Sequence, residues 1–227
     1  TLVAVLVFLG TIFGAHPTQA ETQRQVYAFY FGWFTAETWH DGRLIDRPAQ
    51  QYDSRDGGAV GRHIDQARSV GIDAFIMSWF GPKDNNLTHQ VFNILLDQAA
   101  ARDFKVGAAV DMHEDGYNNS VDEVSHSLAH LMNDRVHHPA YLRHQGKPVI
   151  YFWNQDRFSV AQWQEIRNQV DPNRDTIWVM EGASTAYLAV FDGLYLFTTV
   201  WSSNPAATAS TWQTRTQQAG GWFYTPT

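Results

Sequence analysis

The stretch Tyr52–Pro82, YDSRDGGAVGRHIDQARSVGIDAFIMSWFGP, encodes a complete helix followed by a complete strand, and its reading decides the fold class. Asp56 stands where an N-cap belongs, its carboxylate able to accept from the free N–H groups of a first turn. Val60, Ile64 and Ala67 then recur at i, i+4 and i+7, one apolar stripe, while Arg62, Asp65, Gln66 and Arg68 face away. Gly71 ends the helix, because the residue past a last turn often needs a left-handed conformation that glycine adopts at little cost. Ile72 to Phe80 is almost continuously apolar, as in a parallel strand covered on both faces. Its C-terminal end, Ser78-Trp79-Phe80-Gly81-Pro82, lies where parallel α/β folds gather their ligands, so Trp79 is either a substrate-facing indole or plain core.

The same alternation extends in both directions. Strands are predicted over 25–34, 104–112, 147–154 and 176–181, within 191–201, and at 222–225. Helices are predicted over 86–103, 120–136, 159–170 and 206–219, with a short one at 184–190. Strand and helix in regular succession imply parallel strands joined by right-handed crossovers. Neither G-x-G-x-x-G nor G-x-x-x-x-G-K-[ST] occurs, which moves the choice from a nucleotide-binding doubly wound sheet to a (β/α)8 TIM barrel. About seven of its eight strands are accounted for, so the expected fold is an incomplete barrel, truncated at the C-terminus. The long loop from Thr35 to Gln51 is of a length that is often functional.

Composition narrows the class further. Leu2 to Gly14 is apolar and uncharged, and Thr18-Gln19-Ala20 resembles a small-residue cleavage site. Residues 1–20 therefore read as a partial signal peptide, too short to span a bilayer, and the expectation is an exported protein with no other membrane association. Residues 21–227 form one barrel domain. The absence of cysteine excludes a disulfide framework, a thiolate metal site and a cysteine nucleophile. A net charge of −7 argues against nucleic acid as a partner. Aromatic residues make up 14% of the chain and nine are Trp, a composition suited to stacking on the apolar faces of sugars.

Aligning the strand ends brings one kind of residue together: Tyr30, Trp33, Trp79, Asp111, Trp153, Asn154, Glu181 and Trp201, with Tyr52 added from the first loop. Aromatic rings with carboxylates between them are what a glycosidase cleft needs, the rings holding sugar faces and the acids handling protons and charge at the anomeric carbon. Asp111 and Glu181 are the in-chain candidates for such a pair; the alternative is that they orient loops or bind hydroxyls. His126 and His130 share a helix face at i, i+4, but Ser127 stands where H-E-x-x-H has its glutamate, and a surface histidine face is the reading retained over a metal site. No G-x-S-x-G elbow is present.

Five segments together resemble glycoside hydrolase family 99 and its bacterial relatives: AFYFGWF (Ala28–Phe34), YDSRD (Tyr52–Asp56), HIDQARSVGIDAFIMSWFGP (His63–Pro82), HPAYLRHQGKPVIYFW (His138–Trp153) and FDGLY (Phe191–Tyr195). The resemblance implies a (β/α)8 barrel of retaining endo-α-mannosidases and endo-α-mannanases in which the sugar's own 2-hydroxyl acts as nucleophile. It implies no cofactor, a polysaccharide or oligosaccharide as partner, and a monomer. Tyr30, Trp33 and Trp79 match aromatic positions that line the family's cleft. The family's two glutamates lie near strand eight in a segment like Asn-Glu-Trp-x-Glu-Gly, which this sequence lacks. The catalytic pair is therefore expected beyond Thr227 and the chain alone is expected to be inactive. The first loop is short for an endomannosidase, and family 71, acting on α-1,3-glucan, is the neighbouring possibility.

Overall fold

The computed structural model describes residues 25–83, 85–112, 117–199 and 201–225; the leader read at residues 1–20 lies outside them. Seven parallel strands form one sheet: β1 (Tyr27–Tyr30), β2 (Ala74–Trp79), β3 (Lys105–Asp111), β4 (Lys147–Trp153), β5 (Ile177–Glu181), β6 (Gly193–Tyr195) and β7 (Phe223–Thr225). They lie side by side in chain order. Helices α1 (Gly57–Ser69), α2 (Leu87–Ala100), α3 (Val121–Asn133), α4 (Val160–Val170) and α5 (Pro205–Gln218) occupy the crossovers, and a 3-10 turn at Thr185–Ala189 links β5 to β6. Among the described residues no helix is long and apolar enough to cross a membrane.

The helices begin where their caps stand. Asp56 accepts from the Gly58 N–H, and Ser159 forms a reciprocal capping box with Gln162. Gly71 ends α1 in the left-handed region at φ 82°. Two features differ from expectation. The strand predicted from 25 contains only four paired residues, because after Tyr30 the chain turns into the loop that carries Trp33. A two-residue arm, Arg143–His144, pairs antiparallel with the start of β4; the Gln145-Gly146 turn that makes it, with both residues at positive φ, is a hairpin signal inside a segment otherwise read as a connection.

Strand side chains alternate between two layers. Phe75, Met77 and Trp79 of β2, Val106, Ala108 and Val110 of β3, Ile150 and Phe152 of β4, and Trp178 and Met180 of β5 belong to the core under the helices. Ala74 and Ile76, Ala109, Val149 and Tyr151, Ile177 and Val179, and Tyr195 face the other side with Tyr27, Phe29 and Trp153. This second layer establishes that the sheet is rolled up. Strands β1 and β6 are five steps apart, about 24 Å across a flat sheet at ~4.8 Å per step. Yet the Phe29 ring lies 5.4 Å from that of Tyr195 and 6.4 Å from that of Tyr151. The sheet is an open barrel wall, an incomplete (β/α)8 arrangement whose interior is filled by side chains.

Candidate functional site

The inward register continues to the C-terminal ends of the strands, and there it stops being aliphatic. Counting in twos from Ile76, Ala109, Tyr151 and Val179 gives Ser78, Asp111, Trp153 and Glu181 as the last inward residues of β2 to β5. With Phe29, Phe31, Trp33, Ala109, Tyr195 and Phe197, the first three of these line a cavity of about 180 Å³ at the barrel mouth. Its rings are packed edge to face: Trp153 against Phe197 at 4.5 Å, and Phe197 against Phe29 at 5.3 Å. A larger depression, about 500 Å³, lies outside the barrel between α3 and α4, among Ser125, His126, Met132 and Gln169. It shares no lining residue with the cavity at the mouth.

Asp111 is the buried charge of the mouth, 8% exposed. Ser78 Oγ donates to its Oδ2 at 3.0 Å, and Asn118 Nδ2 donates to its backbone carbonyl at 2.9 Å. Asn118 is held in turn by Ser127, whose hydroxyl donates to Asn118 Oδ1 at 2.7 Å. Gly81 passes over this pair at φ 102°, and a Cβ there would stand 2.6 Å from Ser127 Oγ, so only glycine fits. Glu181 is half-buried outside the cavity's lining. Burial pushes its carboxyl up from the ordinary glutamate range, the Phe197 N–H donating to it opposes that rise, and repulsion from Asp156 adds to it. Tyr195 links the two acids: burial first, then Glu181, Tyr151 and Asp111, push its hydroxyl well up. That hydroxyl donates to the Phe152 carbonyl at 3.3 Å.

Of the residues expected at the mouth, Trp33, Asp111 and Trp153 line the cavity and Glu181 lies beside it. Tyr30 and Trp79 do not, and this corrects the reading that placed them there. Both fall on the helix side of their strands. Trp79 is fully buried, its indole N–H donates to His89 Nδ1 at 3.3 Å, and its ring lies on Phe92 and His130. Tyr30 packs on Phe75, with its hydroxyl 3.1 Å from His63 Nδ1. The physical reason is the two-residue pleat: Phe29 and Ser78, one position earlier, take the inward places. Asn154 is half-buried at φ 59° and opens a 3-10 turn, Gln155–Arg157. Tyr52 sits in the first loop against His63, and Trp201 is 65% exposed with its N–H donating to the Thr198 carbonyl. These three lie off the cavity lining. Phe29, Phe31, Ser78, Ala109, Tyr195 and Phe197 are the lining residues missed, and the pleat counted from a known inward residue is the signal that finds them. His126 is exposed while His130 turns to Trp79 and His89, and among the described residues no group of three or more His, Asp or Glu is placed to hold a metal ion.

The sequence model of Glycosyl hydrolase family 99 matches residues 45–220, well over half of the chain. The chain belongs to this family. Its relatives include the Glycoprotein endo-alpha-1,2-mannosidase of Mus musculus, 24% identical over 155 residues, and that of Rattus norvegicus, 22% identical over 151. Each alignment covers 64% of this chain and 30% of the relative, so the chain spans about a third of the length of the curated relatives it matches. A solved family 99 endo-alpha-mannosidase from Bacteroides thetaiotaomicron superposes with a TM-score of 0.73 at 20% identity, covering 89% of this chain and 68% of that one. That likeness shows the barrel fold. The family 99 match begins inside the first long loop and takes in β2 to β6, so it includes Ser78, Asp111, Trp153, Tyr195 and Phe197 but not Phe29, Phe31 or Trp33.

Proposed function

We propose that the chain is part of a glycoside hydrolase that cuts within an α-linked polysaccharide, mannan-like or α-glucan, with retention at the anomeric carbon. One observation carries this reading: a cavity at the C-terminal ends of the strands of a family 99 barrel, walled by Phe31, Trp33, Trp153 and Phe197, with the buried carboxylate Asp111 on its lining. Such rings take the apolar face of a sugar, and a fixed carboxylate accepts from its hydroxyls. The names of the mannosidase relatives favour mannan. On this reading Asp111 orients the sugar and Glu181 raises the proton affinity of the rim. The reacting glutamates come from residues outside this sequence, which contains no Asn-Glu-Trp-x-Glu-Gly segment. Export belongs to the same proposal and rests on the leader reading of residues 1–20.

The test is calorimetry and reducing-end release with α-mannan and α-glucan oligosaccharides, on this chain and on a form extended past Thr227. Binding by both with release only by the longer form is the expected result, and Asp111→Asn weakens binding at least about ten-fold. Binding without release by either form favours a noncatalytic glycan-binding barrel, the second reading. No binding to either polymer class rejects both.

A further inference from the structure

The chain just before and just after the first long loop is locked together on the helix side of β1, behind the cavity wall. Ser54, fully buried, exchanges two hydrogen bonds with Phe34: the Phe34 N–H donates to Ser54 Oγ at 3.1 Å, and the Ser54 N–H donates to the Phe34 carbonyl at 2.8 Å. Within the loop Trp39 is 5% exposed, stacks on Phe34 at 4.9 Å, and donates its indole N–H to the Tyr52 carbonyl. The Tyr52 ring meets His63 of α1 edge-on at 4.5 Å. From the other side the Tyr30 hydroxyl of β1 reaches His63 Nδ1 at 3.1 Å.

Burial raises the Tyr30 hydroxyl, and burial followed by the nearby Arg62 charge lowers His63 from 6.5. The hydroxyl and Nδ1 share one hydrogen bond, whose direction follows the imidazole tautomer. A single imidazole thus ties β1 to the far end of the loop.

Trp33 stands directly in front of this lock. It is 38% exposed on the cavity wall, with its ring 4.7 Å from Phe31 and 6.1 Å from Phe80, nearly parallel to the latter. Its ring also lies 6.4 Å from that of Phe34, the residue that Ser54 clamps, so the lock reaches the indole through this neighbour.

We propose that His63 is a positioning residue for the cavity: through Tyr30 and Tyr52 it fixes the 35–54 loop and, with it, the orientation of Trp33. His63 touches no residue of the cavity lining by hydrogen bond or ring contact among the described residues, and it acts only through the loop. The proposal rests on reading the cavity as a carbohydrate site, and its experiment separates the two.

Tyr30→Phe, His63→Leu and His63→Gln are compared with the parent chain by hydrogen exchange over residues 31–54 and by titration with α-mannan and α-glucan oligosaccharides, at matched folded fractions. The expected result is exchange faster by about ten-fold over 31–54 in Tyr30→Phe and His63→Leu, little change in α2 to α4, and a several-fold loss of oligosaccharide affinity. His63→Gln, which keeps a hydrogen-bonding group for Tyr30, falls between them and the parent. Unchanged exchange and affinity in Tyr30→Phe, with His63→Leu loosening the whole fold evenly, overturns the proposal. Faster exchange confined to 31–54 with unchanged affinity overturns it too, since Trp33 is then not held by the loop. Local loosening in a parent chain that binds no oligosaccharide supports the loop's dependence on His63 and rejects the carbohydrate reading instead.

Discussion

The two ends of this barrel wall use the same residue types to opposite purposes. At the N-terminal end, Arg167 of α4 is buried with Asp171 and Asp192 and lies over Trp178 at 4.7 Å. Its guanidinium donates to Asp192 Oδ2 at 2.8 Å and to the carbonyls of Thr176 and Val190, while Asp171 accepts from Asp175 N–H and the Thr176 hydroxyl. Asp171 and Asp192 both meet the Arg167 cation. At the C-terminal end Glu181 has no ion pair among the described residues, burial raises its proton affinity, and the rings around Asp111 enclose a cavity rather than a packed core. Charge and aromatics at strand ends therefore do not by themselves mark a site; whether cations neutralise the charge and whether space remains between the rings separates scaffold from mouth.

The sharpest break of this contrast is Arg167→Ala. Removing the guanidinium leaves the buried Asp171 without its cation and takes one from the partly buried Asp192, which costs about 3–5 kcal/mol; urea unfolding measures it, and a loss below about 1 kcal/mol would mean that the network is ornament. Nearly as large, Trp79→Ala empties a fully buried site and is expected to cost about 3–5 kcal/mol without a change in sugar affinity beyond the folded fraction. Its partner in the comparison is Trp33→Ala, which leaves stability within about 1 kcal/mol but weakens oligosaccharide binding about ten-fold, or ~1.4 kcal/mol. Equal stability losses at the two tryptophans would erase the distinction between wall and core.

Smaller still is the pH effect of Glu181. Its folded carboxyl takes up its proton more readily than the unfolded one, so the native state holds more protons, and stability falls as pH rises from about 4.5 through the folded value. Glu181→Gln removes that fall: its melting temperature matches the parent below pH 4.5 and exceeds it at neutral pH. A parent-like difference at both pH values sinks the assignment of a buried, ionisable mouth.

The fold was legible because local signals agree. The Asp56 cap, the stripe on α1, the Gly71 stop and the continuous apolar run of β2 all point to one βα unit repeated, and the repeat implies parallel pairing. The site was legible only in part, since the C-terminal strand ends could be located but the face of each residue could not. In a strand apolar on both sides, Trp79 and Ser78 are equally plausible inward residues, and the larger ring drew the wrong choice. Asp111 and Trp153 were found because they are paired in register at the strand ends and share the inward parity. The clamp at Ser54 left no mark in hydrophobic pattern at all, because it is made by one hydroxyl and one backbone N–H across a twenty-residue separation.

Phe29 sets how far a ligand can descend. Its ring, meeting Tyr151, Tyr195 and Phe197 at the centre of the barrel, is a floor, and the space above it, about 180 Å³, is smaller than the roughly 300–1,000 Å³ of an ordinary small-molecule pocket. A chain end cannot be threaded down such a shaft. On the carbohydrate reading proposed above, a polymer would lie across the rim and lower one unit between the rings, and the shallow floor would favour recognition in mid-chain.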